Sequence, residues 1–354
     1  MSRQLAQLDD LDTRIVVALQ QDGRASWRKV AEAVDSPITT VARRGQQLLA
    51  DGVVKVTAVP ALGAHGAYDN FLVRINCTPG THADVAAALV ARPDVRFCTI
   101  VTGKFDIFAE LVVYGGVSRY PGLMTDLHGV DGVERSRSDL ILSVYKVTHD
   151  WSRQLSGRDP QLPDAVDPSE LGRAEPTDVP HLDAADWAIL DRLQQDGRDT
   201  FQAVADSVGL NESSVRRRFD RMRSAGWVDI VTLARSAALG MGTETLVTVQ
   251  VAPSRLDAVA RALAAHRSVR YLAALLDDNS LFCEVITTSA AELHRFFLST
   301  LAQLEGVQGW NAAMELVFLK RGGVETPWWR AQLEQDGTDL PHPVPVALPA
   351  DTLR

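Results

Sequence analysis

The hexapeptide LQQDGR stands at residues 19–24 and again, unchanged, at 193–198. A repeat at a fixed offset is the first thing to test, because internal duplication decides what the structural unit is. Sliding residues 8–59 over 182–233 without a gap extends the match. Leu8, Asp9, Asp12 and Ile15 find identical counterparts before the hexamer. Val30, Ala31, Val34, Val41, Arg43, Arg44, Gly52 and Val54 find them after it. The same offset of 174 aligns VRFCTIVTGKFDIFAEL (95–111) with VRYLAALLDDNSLFCEV (269–285), and DGV (131–133) with EGV (305–307). The chain is therefore two copies of a unit of about 140 residues. Below, "counterpart" means the residue 174 positions away.

The 354 residues are 46% hydrophobic and 23% charged, the mixture of a globular protein, with a net charge of −9. That charge opposes whole-molecule attraction to a polyanion, so any nucleic-acid binding has to come from a local basic face. No run of about 18 apolar residues offers a membrane span. The polar, acidic N-terminus lacks the apolar core of a secretory signal. Cys77, Cys98 and Cys283 are far apart in apolar runs and read as reduced, buried thiols, neither disulfides nor metal ligands. A cytoplasmic location is expected, with no metal and no cofactor.

Each unit begins with three short helices. LDTRIVVALQQ (11–21) has its apolar residues on a helical stripe, with Gly23 expected as a left-handed stop. Ser26 offers an N-cap to WRKVAEAV (27–34), and ITTVARRGQQLLA (38–50) follows a break at Asp35-Ser36-Pro37. In the second copy Thr200 replaces Ser26, and Asn211 caps ESSVRRRFDRMRSA (212–225). Pro37 stands at the Asn211 position in the first copy, so either its turn differs or Ser36 caps one residue earlier. Two helices joined by a short turn make a helix-turn-helix, and the third helix carries the information. Helix 38–50 has two arginines and no acid; helix 212–225 has five arginines against Glu212 and Asp220. The rest of each three-helix region is acidic. Positive charge thus sits on the one helix that would enter a major groove, and it does so twice. Candidate DNA contacts are Thr39, Thr40, Arg43, Arg44 and Gln47, with Ser213, Ser214, Arg216, Arg217, Arg218 and Arg221 in the second copy.

The remainder of each unit alternates strand and helix in the order βαββαβ, that of a ferredoxin-like fold. A sheet with helices on one face leaves the other to be covered, and a second copy supplies the cover. The expected class is α+β: two tandem copies of a three-helix, winged helix-turn-helix domain followed by a ferredoxin-like domain. The expected divisions are 1–60 and 61–150, a proline-rich linker at 151–180, then 181–234 and 235–325. A proline-rich tail covers 326–354, from which Trp328-Trp329 stands out as a pair that packs on a neighbouring surface.

LDDLDTRIVVALQQDGR, ARRGQQLLADGVV and VTGKFDIF in the first copy, with LDAADWAILDRLQQDGR and GLNESSVRRRFDRMRSAGWV in the second, resemble the Lrp/AsnC (leucine-responsive) family of bacterial and archaeal transcription regulators. The likeness covers nearly all of 8–147 and 182–320. It implies double-stranded DNA as partner and an effector (RAM) domain that senses a small molecule, often an amino acid. It also implies pairing of the two sheets, here within one chain as a pseudo-dimer, and further association of chains. In that family a Thr-Gly-x-aromatic-Asp turn between the middle strands helps build the effector site, which implies a role for Thr102, Gly103, Lys104, Phe105 and Asp106. The second copy departs here, with Leu276, Asp277, Asp278, Asn279 and Ser280. Two other readings compete. Siroheme decarboxylases resemble the same two-part architecture, but the His- and Tyr-containing strand expected of them is VRFCTIV or VRYLAAL here, without histidine. A sensing module that no longer binds DNA is opposed by the two basic helices.

Overall fold

The computed structural model describes residues 7–149, 151–152, 182–335 and 337; the expected linker from 153 and the tail beyond 337 lie outside these. Each copy opens with the three helices its sequence foretells: α1 (Asp10–Gln21), α2 (Trp27–Ala33) and α3 (Ile38–Ala50), then α6 (Ala184–Gln195), α7 (Phe201–Val208) and α8 (Glu212–Ser224) in the second copy. Ile15, Leu19, Val30, Val41 and Leu48 fill one core; Ile189, Leu193, Val204, Val215 and Phe219 fill the other. Asp9, Ser26, Asp183, Thr200 and Asn211 each accept a hydrogen bond from a first-turn amide of the helix that follows.

The break before α3 is built differently from its counterpart. Pro37 gives no side-chain cap, and the Ser36 hydroxyl donates to the Val34 carbonyl, so Ser36 does not cap either. Asp35 holds φ 49°, a left-handed position that Gly209 occupies with φ 70° in the second copy. A β-carbon costs energy there. Asp35→Gly is therefore expected to raise stability by up to about 1 kcal/mol, and Asn211→Ala to lower it by about 1 kcal/mol through the lost cap. Urea titration of the two variants checks both signs.

Gly23 corrects an expectation. It does not adopt the left-handed region; α1 ends on Asp22 in an extended conformation (φ −149°). Glycine is needed for space: a β-carbon would lie 2.9 Å from Val56 Cγ1 at residue 23, and 2.8 Å from the Thr57 amide nitrogen at residue 197. Both approaches are to a ribbon joining the copies. β1 (Val54–Pro60) pairs antiparallel with β6 (Val228–Ala234), and the two strands expected as separate wings are one shared element. Thr57 opposes Val231, its own counterpart, so a pseudo-two-fold axis passes through the ribbon's centre.

The rest of the first copy is β2 (Tyr68–Cys77), α4 (His82–Ala91), β3 (Val95–Val101), β4 (Ile107–Tyr114), α5 (Tyr120–His128) and β5 (Val133–Val147). The second gives β7 (Thr243–Val251), α9 (Leu256–Ala265), β8 (Val269–Leu275), β9 (Ser280–Thr287), α10 (Ala290–Ser299) and β10 (Val307–Arg321). Both are βαββαβ. β5 and β10 are 15 residues long, and each does two things. The first half of β5 pairs with β2 of its own sheet and the second half with β8 of the other copy; β10 pairs with β7 and then β3. The exchange is reciprocal, Ile141 opposing Leu275 as Glu315 opposes Val101. Eight strands close into a ring without an open edge. Helices cover the outer faces, and Leu72, Val101 and Phe108 meet Leu246, Leu275 and Phe282 inside.

Two segments expected outside the folded domains pack on them. Trp151 and Ser152 are buried, the serine bonded to Gln20. After a short β11 (Val324–Glu325), α11 (Trp329–Gln335) seats Trp329 and Leu333 in the first copy's sheet core, while Trp328 packs with Val59 and Val231. All three cysteines are buried and unpaired. Among the described residues no helix is long and apolar enough to cross a membrane, and no His/Cys/Asp/Glu group could hold a metal.

Candidate nucleic-acid interface and effector cavity

On α3, Thr39, Arg43 and Gln47 follow one another at four-residue spacing on the exposed side, and Ser213, Arg217 and Arg221 repeat the row on α8. Arg43 and Arg217 are exposed with no ion-pair partner among the described residues. Thr40 and Ser214 are half-buried beside these rows. Gln47 donates to Asp51 (2.6 Å), Ser213 donates to Asn211 (2.8 Å), and Arg216 pairs with Glu212 (2.8 Å) over the Phe201 ring.

Arg44 and Arg218 are placed otherwise. Arg44 bonds Asp9 (2.5 Å) and the buried Asp12 (3.1 Å) at the start of α1, and Arg218 bonds Asp183 (2.7 Å) and Asp186 (2.9 Å) at the start of α6. Arg221 also reaches Asp186, at 2.5 Å. The arginine hydrogen bonds hold the Asp9 and Asp183 carboxyls below their usual range. Arg44 and Arg218 thus fasten the first helix of each reader to its third. Asp9, Asp12, Asp183 and Asp186 were a signal for this, being repeated along with the arginines.

The two readers are clasped by the repeated hexamer itself. Arg24 donates to the carbonyls of Gly197 (2.5 Å) and Asp199 (2.8 Å); Arg198 donates to those of Gly23 (2.5 Å) and Ala25 (2.9 Å). Each guanidinium also lies over an aromatic ring that opens the second helix of a reader, Phe201 for Arg24 (4.5 Å) and Trp27 for Arg198 (4.4 Å). Thr57 and Thr232 on the ribbon donate to the Gln194 and Leu19 carbonyls. One turn of each reader is therefore the other's docking surface.

The 102–106 turn divides in two. The Thr102 hydroxyl accepts from the Met314 amide and its own amide donates to the Met314 carbonyl (both 2.9 Å). The Asp106 carboxylate accepts from the Cys77 amide (2.8 Å). Both ends are engaged with backbone. Gly103 (φ 102°), Lys104 and Phe105 line a cavity of about 270 Å³ at one mouth of the strand ring. Leu246, Thr248, Asn311 and Asp277 face them from the second copy, so both turns open into one shared space. Residues that sequence reading missed stand in its wall. Arg74, buried, is paired with the buried Asp139, and Arg137 is paired with Asp277. Burial, with Arg137 nearby, lowers the Arg74 pKa to about 10. Lys104 reaches Asn311 Oδ1 at 3.5 Å. An arginine inside the apolar run NFLVRINC, at an inward position by strand alternation, was the available signal.

Comparison with known proteins agrees with the two-part reading. The AsnC-type helix-turn-helix domain matches residues 8–49 and 182–223, and the Lrp/AsnC ligand binding domain matches 70–151 and 244–323. An uncharacterized HTH-type transcriptional regulator of Pyrococcus abyssi is 28% identical over 141 residues, 40% of this chain and 89% of its own length. One of Pyrococcus furiosus is 30% identical over 140 residues, 39% of this chain and 95% of its own. Each relative is thus the length of one copy. Among solved structures, the siroheme decarboxylase NirDL superposes with a TM-score of 0.57 at 13% identity, covering 93% of this chain and 100% of that one. At that identity the likeness is one of fold.

Proposed function

The chain belongs to the Lrp/AsnC family of HTH-type transcription regulators, carrying two complete reader–sensor units in one polypeptide, and from this premise we infer how it recognises DNA and its effector. It is a ligand-responsive DNA-binding regulator. In the proposed arrangement the rows Thr39–Arg43–Gln47 and Ser213–Arg217–Arg221 face two successive major-groove half-sites, as the two readers of a helix-turn-helix dimer do. The rows differ at Gln47 and Arg221, which favours an asymmetric operator. The observation that carries the reading is the exposure of Arg43 and its counterpart Arg217 on the third helices. Selection of bound sequences from random duplexes, followed by gel shift, tests it. Two unequal half-sites are expected; no enrichment over bulk DNA would overturn it.

The effector is proposed to lie in the shared cavity. Arg74, Lys104 and Arg137 face Asp139 and Asp277, leaving one positive charge in excess and apolar walls at Phe105, Phe108 and Leu246. That suits a small carboxylate with an apolar body, an amino acid among them. A cavity of about 270 Å³ lies near the lower end of ligand sites, and it favours this over a tetrapyrrole; the regulator reading is accordingly non-enzymatic, at work on DNA in the cytoplasm, with further association of chains as in the family. A thermal-shift screen of amino acids and short carboxylates with the full chain checks it. Lys104→Ala, at an exposed position, is expected to weaken the best binder about tenfold by removing one charge-assisted contact. Asp106→Ala is expected to lower stability by about 1–2 kcal/mol and to leave that binding in place. The reverse pattern would move the site to Asp106.

A further inference from the structure

A second cavity, of about 230 Å³, opens where reader two joins the strand ring. Its wall is drawn from the end of β6 and the connector that follows (Thr232–Ala237), the segment after β5 (Thr148, His149, Trp151), β8, β10 and Trp328. Charged groups crowd one side. Arg270 and Arg321 each place two N–H groups on the Glu284 carboxylate behind the wall. Glu244 lies 3.5 Å from Arg270, and burial lowers the pKa of Arg235, with Glu244 partly opposing it. Glu315 is the exception. It is 9% exposed and lines the cavity, yet among the described residues no N–H donor reaches either carboxyl oxygen, and its side chain shares a hydrogen bond with the Glu284 carboxyl. Burial beside Glu284 and Glu244 pushes its pKa well up. His149 is half-buried; desolvation of its ring, with Arg96 and Arg270 nearby, pushes its pKa down to about 4, so it adds no charge at neutral pH.

The duplication supplies an internal control. The counterparts of Glu315, Glu244, Arg321 and His149 are Ile141, Asn70, Val147 and Gly323, whereas Arg270 and Glu284 have the like-charged counterparts Arg96 and Glu110. The first copy builds the same strands in the same register around an isoleucine. The fold therefore does not require an acid at this position. A buried carboxyl group that meets no N–H donor is unfavourable to stability, and its placement on a cavity wall, in one copy only, points to a ligand that brings such donors.

We propose that this cavity is a binding site for a small organic cation bearing several N–H donors, a primary ammonium or a guanidinium, held by Glu315 with its apolar body against Trp151, Phe318 and Trp328. Burial beside Glu284 and Glu244 keeps Glu315 protonated in the absence of ligand, so the cation binds as that proton leaves to solvent. The three arginines already face Glu284 and Glu244, so Glu315 alone is left to accept. The site lies between the end of β6 and the ring, and its Trp151 and Met241 also pack on the core of reader one, so occupancy ties that reader to the ring. It is distinct from the shared cavity at the 102–106 turn and does not rest on that assignment.

The test uses the full chain without DNA and three probes at millimolar concentration: n-butylammonium, methylguanidinium and tetramethylammonium, the last with charge but no N–H. The first two are expected to raise the unfolding midpoint, and tetramethylammonium to leave it. Glu315→Ile, which installs the first copy's residue, is expected to fold with an unchanged or higher midpoint and to weaken probe binding at least about tenfold. Lys104→Ala is expected to leave the probe shift intact. The proposal is overturned if neither N–H probe shifts the midpoint, if tetramethylammonium shifts it equally, if Glu315→Ile keeps the shift, or if Lys104→Ala abolishes it. A loss of folding in Glu315→Ile overturns it too, because the acid would then be structural.

Discussion

Replacing Arg24 and Arg198 together by alanine is expected to lower the unfolding free energy by about 5–6 kcal/mol and to weaken operator binding about 10- to 100-fold. The stability figure follows from what each guanidinium does. Each makes two hydrogen bonds to backbone carbonyls of the opposite reader, and charged hydrogen bonds contribute about 1.5–3 kcal/mol when fully desolvated. These are partly buried, so about 1 kcal/mol apiece is the better figure, with the Phe201 and Trp27 ring contacts adding about 0.5–1 kcal/mol each. The affinity figure is the loss of a preset geometry: two readers free to reorient lose part of the gain that a rigid pair has from effective concentration. Lysine at both positions is expected not to restore either quantity, since an ammonium lacks the fork that reaches two carbonyls. The salt dependence of binding should stay as in the parent, because every phosphate-facing side chain is still in place. Urea unfolding, with gel shifts on operators of altered half-site spacing, measures all of this. A double variant within about 1 kcal/mol of the parent, with unaltered spacing preference, would remove the clasp from the account.

The second large effect belongs to the DNA face. Arg43→Ala combined with Arg217→Ala should reduce operator affinity about 10²–10³-fold, at about 1–3 kcal/mol for each arginine taken away from the DNA, while stability stays within about 0.5 kcal/mol. If both side chains meet phosphate, the salt slope falls by nearly two. Arg44→Ala or Arg218→Ala should behave in the opposite way. Each takes an arginine away from a buried carboxylate, Asp12 or Asp186, and should cost about 1–3 kcal/mol of stability, less for Arg218 because Arg221 still pairs with Asp186, affecting DNA binding through folding. Unchanged affinity in the Arg43/Arg217 variant would transfer recognition to another element.

These contrasts show where the sequence was legible. Helices, caps and the βαββαβ order follow from local patterns, and the duplication from a fixed offset; none needs knowledge of the other copy. What lies between copies was not legible. Gly23 looked like a helix stop because a turn glycine and a clearance glycine read alike until the ribbon beside it is known. The tie of Arg44 to α1 was hidden because its partner Asp12 lies 32 residues away and meets it only once α1 docks on α3. The bond of Asp106 to the Cys77 amide was hidden because Cys77 lies on β2, 29 residues away. The exchange of β5 and β10 was hidden for the same reason, although their length of 15 residues exceeds what a four-stranded sheet of this size uses.

The ring of strands has a consequence for how much protein is needed. A regulator made of separate subunits loses its paired form on dilution, as mass action requires. Here the two halves that exchange β5 and β10 belong to one polypeptide. Their encounter is intramolecular, at an effective concentration independent of expression level. The two halves were thus free to diverge without risk of like pairing with like, and a single molecule delivers one reader of each kind, already matched, to its operator.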